Sequence, residues 1–274
     1  MAKQTRIFTG TSGYSYKEWR GAFYPSELHP DEWLSYYASR LPAVEINNTF
    51  YRMPRSHVVE TWRDSVPDGF RFVIKASRRI THQKRLKDAD EPMGFLLSRA
   101  EILGPKLGAL LFQLPPNMAV NADRFREFQA LIPPDVPTAF EFRHPSWDDD
   151  EICSMLEARG HALVVTHDDA TETRSPDLLP GPLVYLRLRG SSYSPAAIRR
   201  WQEKVQSSGS EQAFVFFKHE DAGGGARLAE AFLEQTGSAA GPRKAARKKP
   251  AAAKSRSGPR SAGTKSATRR NRKT

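Results

Sequence analysis

Eight short apolar runs, each ending in a polar or charged cluster, constrain the fold of this 274-residue chain more than any other feature. They are Ile7–Ser12, Ala43–Asn48, Arg71–Ala76, Gly108–Gln113, Thr138–Arg143, Ala162–His167, Leu183–Arg189 and Ala213–His219. Runs of this length that are apolar on both faces are typical of parallel strands covered by helices. Eight of them predict an α/β fold, a single (β/α)8 barrel, with its functional site at the carboxyl ends of the strands.

Helical patterns separate most of these runs. They cover residues 29–41, 56–66, 93–103, 121–132, 148–160, 195–209 and 226–237, and Ser56 is the expected cap of the second. Residues 168–182 have the composition of a loop, so we expect a slightly irregular barrel between the sixth and seventh strands. Because no linker composition occurs earlier, the sequence predicts one barrel domain over residues 1–237.

The positive charge of the chain is concentrated in its last residues. The formal net charge is +11, yet residues 241–274 alone hold 13 Lys and Arg with no Asp or Glu. The other residues hold 29 bases and 31 acids and are slightly acidic. Residues 238–274 also lack the apolar side chains of a core, which predicts a disordered basic tail. Such a polycation, including Lys248 and Lys249, would bind nucleic acid with little sequence preference, or would act only to increase solubility.

Composition argues against a membrane or secreted protein. The polar start MAKQTRIFTG is unlike a signal peptide, and no apolar run approaches the roughly 18 residues of a membrane helix. The only cysteine, Cys153, lies in a helical pattern that favours a buried thiol over a nucleophile. We therefore expect a cytoplasmic protein without disulfides.

Strand alternation predicts which polar side chains point into the barrel. Helix-facing positions should be apolar, so Glu45 and Asn47 in the second run, and Glu141 and Arg143 in the fifth, should point inward. The same argument places further polar side chains inside, namely Thr9, Thr11, Lys75, Gln113, Tyr185, Arg187, Arg189 and Lys218.

The predicted interior has too much positive charge for its carboxylates. Two acids, Glu45 and Glu141, face five bases, which are Lys75, Arg143, Arg187, Arg189 and Lys218. Buried like charges are costly unless they are paired, and convergent Arg and Lys side chains suit phosphate. An anionic ligand is the favoured explanation. The alternative is that the carboxylates pair with the arginines in a network that only braces the barrel.

The segment after the third run extends this basic character. It carries Arg78, Arg79, Lys84 and Arg85 beside His82, and is expected over the barrel mouth as nucleic-acid contacts. Aromatic residues crowd the same rim and could stack on bases or sugars, although Trp19 and Phe23 are the first candidates for ordinary packing. These aromatics are Tyr14, Tyr16, Trp19, Phe23, Tyr24, Phe50, Tyr51 and Trp147.

No cofactor is predicted, but two other chemistries stay open. A divalent metal would need ligands from Glu45, Glu141, His82, His144, His167, Asp168, Asp169 or residues 219–221, and no tight spacing singles out a subset. Alternatively, a desolvated Lys75 or Lys218 among other cations could form a Schiff base. Gly223, Gly224 and Gly225 could bind phosphate through their amides or could only form a turn.

The motifs, in order and spacing, resemble the TIM-barrel family catalogued as domain of unknown function 72. They are GTSGYSYKEWRGAFYP, VEINNTFYRMP, FVIKASRRITH, LGALLFQLPPN, FEFRHPSW, VYLRLRG and FFKHED, spanning roughly residues 6–236. The resemblance implies the barrel, a soluble bacterial or archaeal protein and a polar site at the barrel mouth, with no established activity. The matching motifs contain Glu45, Asn47, Tyr51, Lys75, His82, Gln113, Glu141, Arg143, His144, Trp147 and Arg187.

The first functional hypothesis is a hydrolase or lyase acting on a phosphate-bearing substrate, with nucleic acid as one candidate. Glu45 or Glu141 would serve as general base and His82 or His144 as general acid. Substrate binding would fall to Asn47, Tyr51, Lys75, Gln113, Arg143, Trp147, Arg187, Arg189 and Lys218. The alternatives are a non-catalytic nucleic-acid binder that uses the tail and the basic segment, and a metal-dependent sugar or metabolite enzyme.

Overall fold

The computed structural model describes residues 4–169, 178, 180–218 and 223–235. Its strands are β1 (Arg6–Ser12), β2 (Ala43–Ile46), β3 (Arg71–Lys75), β4 (Leu107–Gln113), β5 (Thr138–Glu141), β6 (Ala162–His167), β7 (Leu183–Leu188) and β8 (Gln212–Phe217). Each strand pairs in parallel with the next, and β8 pairs with β1 to close the barrel. The predicted eight-stranded barrel is therefore confirmed, with strand limits close to the predicted ones.

In the described residues, seven α-helices lie between or after these strands. They are α1 (Trp33–Arg40), α2 (Ser56–Asp64), α3 (Asp90–Leu103), α4 (Ala122–Ala130), α5 (Asp150–Ala158), α6 (Pro195–Ser207) and α7 (Gly224–Gln235). Every connection has its helix except the one between β6 and β7, where none occurs in the part that the structure describes. Residues 170–177 and 179 of that connection, and the predicted tail 238–274 with Lys248 and Lys249, lie outside the described residues.

Local sequence explains where several helices begin. The side chain of Asn121 accepts from the Arg124 N–H at the start of α4, and that of Asp149 accepts from two N–H groups at the start of α5. Helix α6 begins with Pro195 in the first turn, preceded by Ser194 as its cap. Ser56 is already the first residue of α2 and makes no cap hydrogen bond, so the expected capping role was wrong.

Two apolar layers surround the strands. Outward side chains pack against the helices, as where the Phe140 ring on β5 meets Phe125 and Phe128 on α4 edge to face, at 5.0 and 6.3 Å between centroids. Inward side chains fill the barrel, and Phe8 stacks on Phe214 at 5.2 Å inside its amino-terminal half. The barrel interior is thus a packed core, and polar residues are left for its other end.

At the carboxyl ends, each strand or its first following residue directs one polar side chain inward. These residues are Ser12, Glu45, Lys75, Gln113, Glu141, Thr166, Arg187 and Lys218. Neighbouring members share a register, with Ser12 beside Glu45 and Gln113 beside Glu141. The layer is the floor of the candidate site.

The first strand corrects one prediction. Phe8 belongs to the barrel interior, so Ser12 points inward while Thr9 and Thr11 point toward the helices. The hydroxyl of Thr11 lies 2.9 Å from that of Tyr37 on α1, and its N–H donates to the same oxygen at 2.8 Å. A helix-facing position can therefore be polar when a helix residue satisfies it, which the sequence argument did not allow for.

Candidate functional site

A cavity of about 410 Å³ opens above the polar layer at the mouth of the barrel. It is lined by Ser12, Asn47, Phe50, Tyr51, Lys75, Gln113, Arg143, Arg187, Arg189 and Lys218. Eight of these ten side chains are predicted substrate-binding residues, which the structure brings together from six different strands or their ends. Sequence reasoning missed Ser12, because the inward face of β1 was assigned to its threonines, and placed Phe50 only among the rim aromatics.

Glu45 lies fully buried beneath this cavity, with both oxygens occupied. Its Oε1 accepts from Ser12 Oγ at 2.8 Å and Asn47 Nδ2 at 2.9 Å. Tyr185 Oη donates to Oε2 at 2.6 Å, and Arg187 Nη2 donates to Oε1 at 2.8 Å. Burial disfavours the charged form, but Arg187 and these hydrogen bonds outweigh burial and lower the pKa of Glu45. This carboxylate is held as a structural anion.

Glu141 is bound in the same way on the opposite wall. Gln113 Nε2 donates to its Oε2 at 2.7 Å, Arg187 Nη1 donates to the same oxygen at 2.6 Å, and Arg143 Nε donates to Oε1 at 3.0 Å. Burial is again opposed by Arg187 and Arg143, which lower the pKa of Glu141 to about 2. Its oxygens carry hydrogen bonds from charged donors, so it is a weak proton acceptor at neutral pH.

Arg187 joins the two carboxylates across the barrel. Its terminal nitrogens contact Glu45 and Glu141 while its side chain is only 5% exposed. Burial alone would lower its pKa, but the two carboxylates raise it above the usual arginine value. The bracing network that the sequence suggested as an alternative is therefore present, and it accounts for both acids.

Lys75 differs from Arg187 because a neutral group, Gln113, is its hydrogen-bond partner. Its Nζ donates to Gln113 Oε1 at 2.9 Å and lies 4.5 Å from the centroid of the Phe50 ring. Among the described residues, no carboxylate lies within ion-pair distance of Lys75. Burial and the nearby charge of Arg187 lower its pKa to about 8. A buried lysine at the cavity floor thus has an appreciable neutral fraction near physiological pH.

The two predicted acid histidines occupy different places. His82 contacts Phe50, the ring that also contacts Lys75, at 4.9 Å between ring centroids. Burial, followed by the positive charge of Lys75, lowers the pKa of His82. His144 caps the turn Pro145–Trp147, where its Nδ1 accepts from the Ser146 N–H at 3.2 Å. Neither histidine lines the cavity, and His144 is used by local structure.

Trp147 and most of the rim aromatics pack against other side chains of the protein and do not face the cavity. Trp147 is buried, stacks on Phe142 at 4.4 Å and donates its Nε1 to the Met118 carbonyl at 2.8 Å, away from the cavity. Trp19 and Tyr24 are almost fully buried in an aromatic cluster of the first loop. Among the rim aromatics, only Phe50 and Tyr51 of the second loop border the cavity. Tyr51 is 74% exposed at its lip.

The basic segment after β3 is largely bound to its own neighbours. Arg79 pairs with Glu91 at 2.7 Å, Lys84 donates to the Asp88 carbonyl at 2.6 Å, and Arg85 donates to the carbonyl of residue 117 at 3.3 Å. Arg78 is exposed. None of the four lines the cavity. Their predicted role as nucleic-acid contacts therefore gains no support from this geometry.

A metal centre and a membrane segment find no support in the described part of the chain. It contains no cluster of three or more His, Cys, Asp or Glu side chains arranged to hold a metal ion. Residues 219–221, named above as metal ligands, lie outside the description. No described helix is both long enough and apolar enough to cross a membrane.

Fold and site define a TIM-barrel protein with a cationic cavity at the carboxyl ends of its strands. The chain belongs to the family described as protein of unknown function DUF72, whose model matches residues 8–254. Curated relatives include the UPF0759 protein YecE of Escherichia coli, 33% identical over 120 residues, or 42% of each chain. Another is the UPF0759 protein YunF of Bacillus subtilis, 28% identical over 166 residues, or 56% of this chain and 58% of that protein. The matches thus span only about half the length of these relatives.

Solved structures give the same family. A DUF72 family protein from Thermotoga maritima has a TM-score of 0.73 and 25% identity, covering 85% of this chain and 99% of that one. A DUF72 family protein from Enterococcus faecalis has a TM-score of 0.69 and 22% identity, covering 86% and 99%. The second shows the fold alone. Neither description states a substrate or an activity.

Proposed function

We propose that the protein is an enzyme that takes an anionic, phosphate-bearing substrate into the cavity at the barrel mouth. One observation carries this proposal. Five cationic side chains border a single cavity of about 410 Å³, namely Lys75, Arg143, Arg187, Arg189 and Lys218. The carboxylates beneath it, Glu45 and Glu141, already accept hydrogen bonds from arginine.

Two of the cations at this wall, Lys75 and Arg189, form no ion pair with a carboxylate of the described residues. Glu45 and Glu141 pair with Arg187 and Arg143, and their oxygens are occupied by that network. Holding Lys75 and Arg189 at a partly desolvated wall costs free energy, which a bound anion offsets. Phosphate suits this wall because guanidinium groups bind its oxygens in pairs and an ammonium adds a point charge.

The volume of the cavity favours a small ligand. Small-molecule sites commonly occupy roughly 300–1,000 Å³, and this cavity of about 410 Å³ lies near the lower limit. A phosphorylated metabolite or a single nucleotide fits this range. A longer nucleic acid would have to present one nucleotide at a time, with Tyr51 at the lip as a stacking surface.

We also propose acid and base roles that differ from those expected from sequence. Glu45 and Glu141 position Arg187 and Arg143, in place of the general-base role expected from sequence, because a carboxylate with a lowered pKa and filled oxygens is a poor base. Lys75 is the titratable group that borders the cavity with a pKa near neutrality, and His82 is the nearest histidine behind it. Lys75 is therefore the group at the cavity floor whose protonation state changes near neutral pH.

Calorimetric titration of the full chain tests the proposal. Inorganic phosphate, sugar phosphates and mononucleotides are compared at physiological salt, where the polycationic tail is partly screened. Losing one charge-assisted hydrogen bond costs about 1.5–3 kcal/mol, so Arg189→Ala should weaken phosphate binding by roughly tenfold or more. The matched control is Arg200→Ala, which removes an exposed arginine of α6 outside the cavity and should change nothing.

Three results would contradict the proposal. Phosphate binding that is equal in wild type and Arg189→Ala would show that the cavity is not the anion site. Oligonucleotide binding that is strong, and insensitive to both cavity variants Arg189→Ala and Lys218→Ala, would favour the nucleic-acid binder. Binding of unphosphorylated sugars that requires a divalent metal and is lost in EDTA would favour the metal-dependent sugar enzyme.

A further inference from the structure

Lys75 has the surroundings of a reactive amine. It is the inward residue at the end of β3, is 9% exposed and borders the cavity. Its Nζ contacts a neutral amide oxygen of Gln113 and a neutral ring, Phe50. The carboxylates that would normally hold such a lysine as an ammonium are engaged elsewhere, by Arg187 and Arg143.

A second buried lysine shows what a structural lysine looks like in the same fold. Lys106 has the same 9% exposure, but its Nζ donates to the carbonyls of Arg63 at 2.8 Å and Val66 at 2.7 Å. The carboxylate of Asp68 is a third acceptor near that nitrogen, with its Oδ1 at 3.4 Å. Lys106 borders no cavity at the barrel mouth. Lys75 therefore has both fewer acceptors and access to a ligand.

Only one orientation of the Gln113 amide satisfies both of its neighbours, Glu141 and Lys75. Its Nε2 donates to Glu141 Oε2 at 2.7 Å, so its Oε1 faces Lys75. This single acceptor fixes the position of the lysine nitrogen, and a neutral amine can donate to it as well as an ammonium can. The nitrogen is thus positioned toward the cavity without being held in its charged state.

We propose that Lys75 is a nucleophile that forms a Schiff base with the carbonyl carbon of an aldehyde or ketone bound in the cavity. The substrate class is then a phosphorylated carbonyl compound; the phosphate part rests on the proposed function, and the amine chemistry does not. Neutral Nζ bonds to the carbonyl carbon, and the carbonyl oxygen leaves as water, carrying one proton from the amine and one from solvent. The product is a protonated imine on Lys75.

The charges around Lys75 set the pH range of this reaction. Burial, Arg187 and Arg143 favour the neutral amine of Lys75, whereas the negative charges of Glu45 and Glu141 favour its ammonium form. His82 behind Phe50 has a lowered pKa, which limits its positive charge near neutrality. Since only the neutral amine attacks, adduct formation at Lys75 should rise with pH around a midpoint near 8. Ordinary exposed lysines would need a pH near about 10.4.

The test is reductive trapping with two matched probes, pyridoxal 5′-phosphate and 5′-deoxypyridoxal, neither of which can close its aldehyde to a cyclic hemiacetal. Each is incubated with the full chain and cyanoborohydride, which delivers hydride to the imine and leaves a stable secondary amine, and peptide mapping locates the label. We expect labelling at Lys75 well above that at Lys106, with the phosphorylated probe at least tenfold more efficient. Lys75→Arg should abolish that label, because a guanidinium does not form the imine, whereas Lys106→Arg should leave it unchanged.

The two proposals can fail separately. Labelling spread over exposed lysines without preference for Lys75, while phosphate still binds, would overturn the Schiff-base proposal alone. Selective labelling of Lys75 that is equal for both probes would retain the nucleophile and overturn the phosphate site. A labelling profile whose midpoint lies near that of exposed lysines would assign Lys75 to simple charge binding.

Discussion

Gln113 donates its side-chain amide to Glu141 at 2.7 Å, and this bond determines how the other end of the same amide is used. The carbonyl end is left facing Lys75, at 2.9 Å from its Nζ. One neutral residue, Gln113, thus separates the Glu141 carboxylate, which is charged at neutral pH, from Lys75, whose pKa is lowered to about 8. A carboxylate in the place of this amide would instead hold the lysine as an ammonium.

Replacing this amide with an apolar side chain should weaken the fold. In Gln113→Leu, a buried carboxylate loses one donor and Lys75 loses its acceptor, and an unsatisfied buried polar group costs roughly 1–3 kcal/mol. We expect the free energy of unfolding to fall by that amount in urea titrations. Gln83→Leu, at an exposed position, is the control and should change it little. Equal stability of Gln113→Leu and wild type would mean that the amide bridge contributes nothing.

The two buried carboxylates predict acid sensitivity. The folded pKa of Glu141 is about 2 and that of Glu45 is also lowered, so the unfolded chain binds protons first as pH falls. Their stabilisation is complete above the pKa of an unfolded carboxyl, about 4.3, and is lost as pH falls toward 2. We expect Glu141 alone to account for about 3 kcal/mol of this loss. Urea midpoints measured between pH 6 and pH 2.5 should capture about 2 kcal/mol of it, and Glu141→Gln should flatten the curve.

Tyr51 should affect ligands that carry a ring and leave stability unchanged. Its side chain is 74% exposed at the lip of the cavity, so Tyr51→Ala removes little packing. Stacking of a planar ring on tyrosine contributes about 1–3 kcal/mol, and pyridoxal 5′-phosphate should bind roughly tenfold more weakly, whereas inorganic phosphate should bind as before. Phe95→Ala, at an exposed aromatic on α3, is the matched control. Equal weakening of both ligands would rule out stacking.

Trp147 should affect the stability of the fold and leave ligand binding unchanged. Its indole stacks on Phe142 and donates to the Met118 carbonyl, outside the cavity. Trp147→Phe should lower the free energy of unfolding by roughly 1–3 kcal/mol, because it leaves a buried carbonyl unpaired. Phosphate affinity, measured by calorimetry on the same samples, should not change. A specific loss of affinity with unchanged stability would restore the substrate-binding role that the sequence suggested.

Much of the site could be predicted because strand alternation is a local property. Once Glu45, Lys75, Gln113, Glu141 and Arg187 are assigned to strands of a closed barrel, their inward direction and common end follow from the two-residue period. The first strand escaped this argument because Thr9 and Thr11 are polar on the helix-facing side. The helix-facing direction of Thr11 is satisfied by Tyr37, a residue of another element.

The sequence by itself determined the barrel, the end at which the site lies and the excess of positive charge there, since these depend on local periodicity and composition. Only the tertiary structure decided which partners each charged group has. Glu45 meets Tyr185 and Arg187 across 140 and 142 residues of chain, and those contacts help to lower its pKa. Hydrogen bonds and desolvation depend on distances of a few ångströms between remote residues, and these distances exist only in the folded barrel.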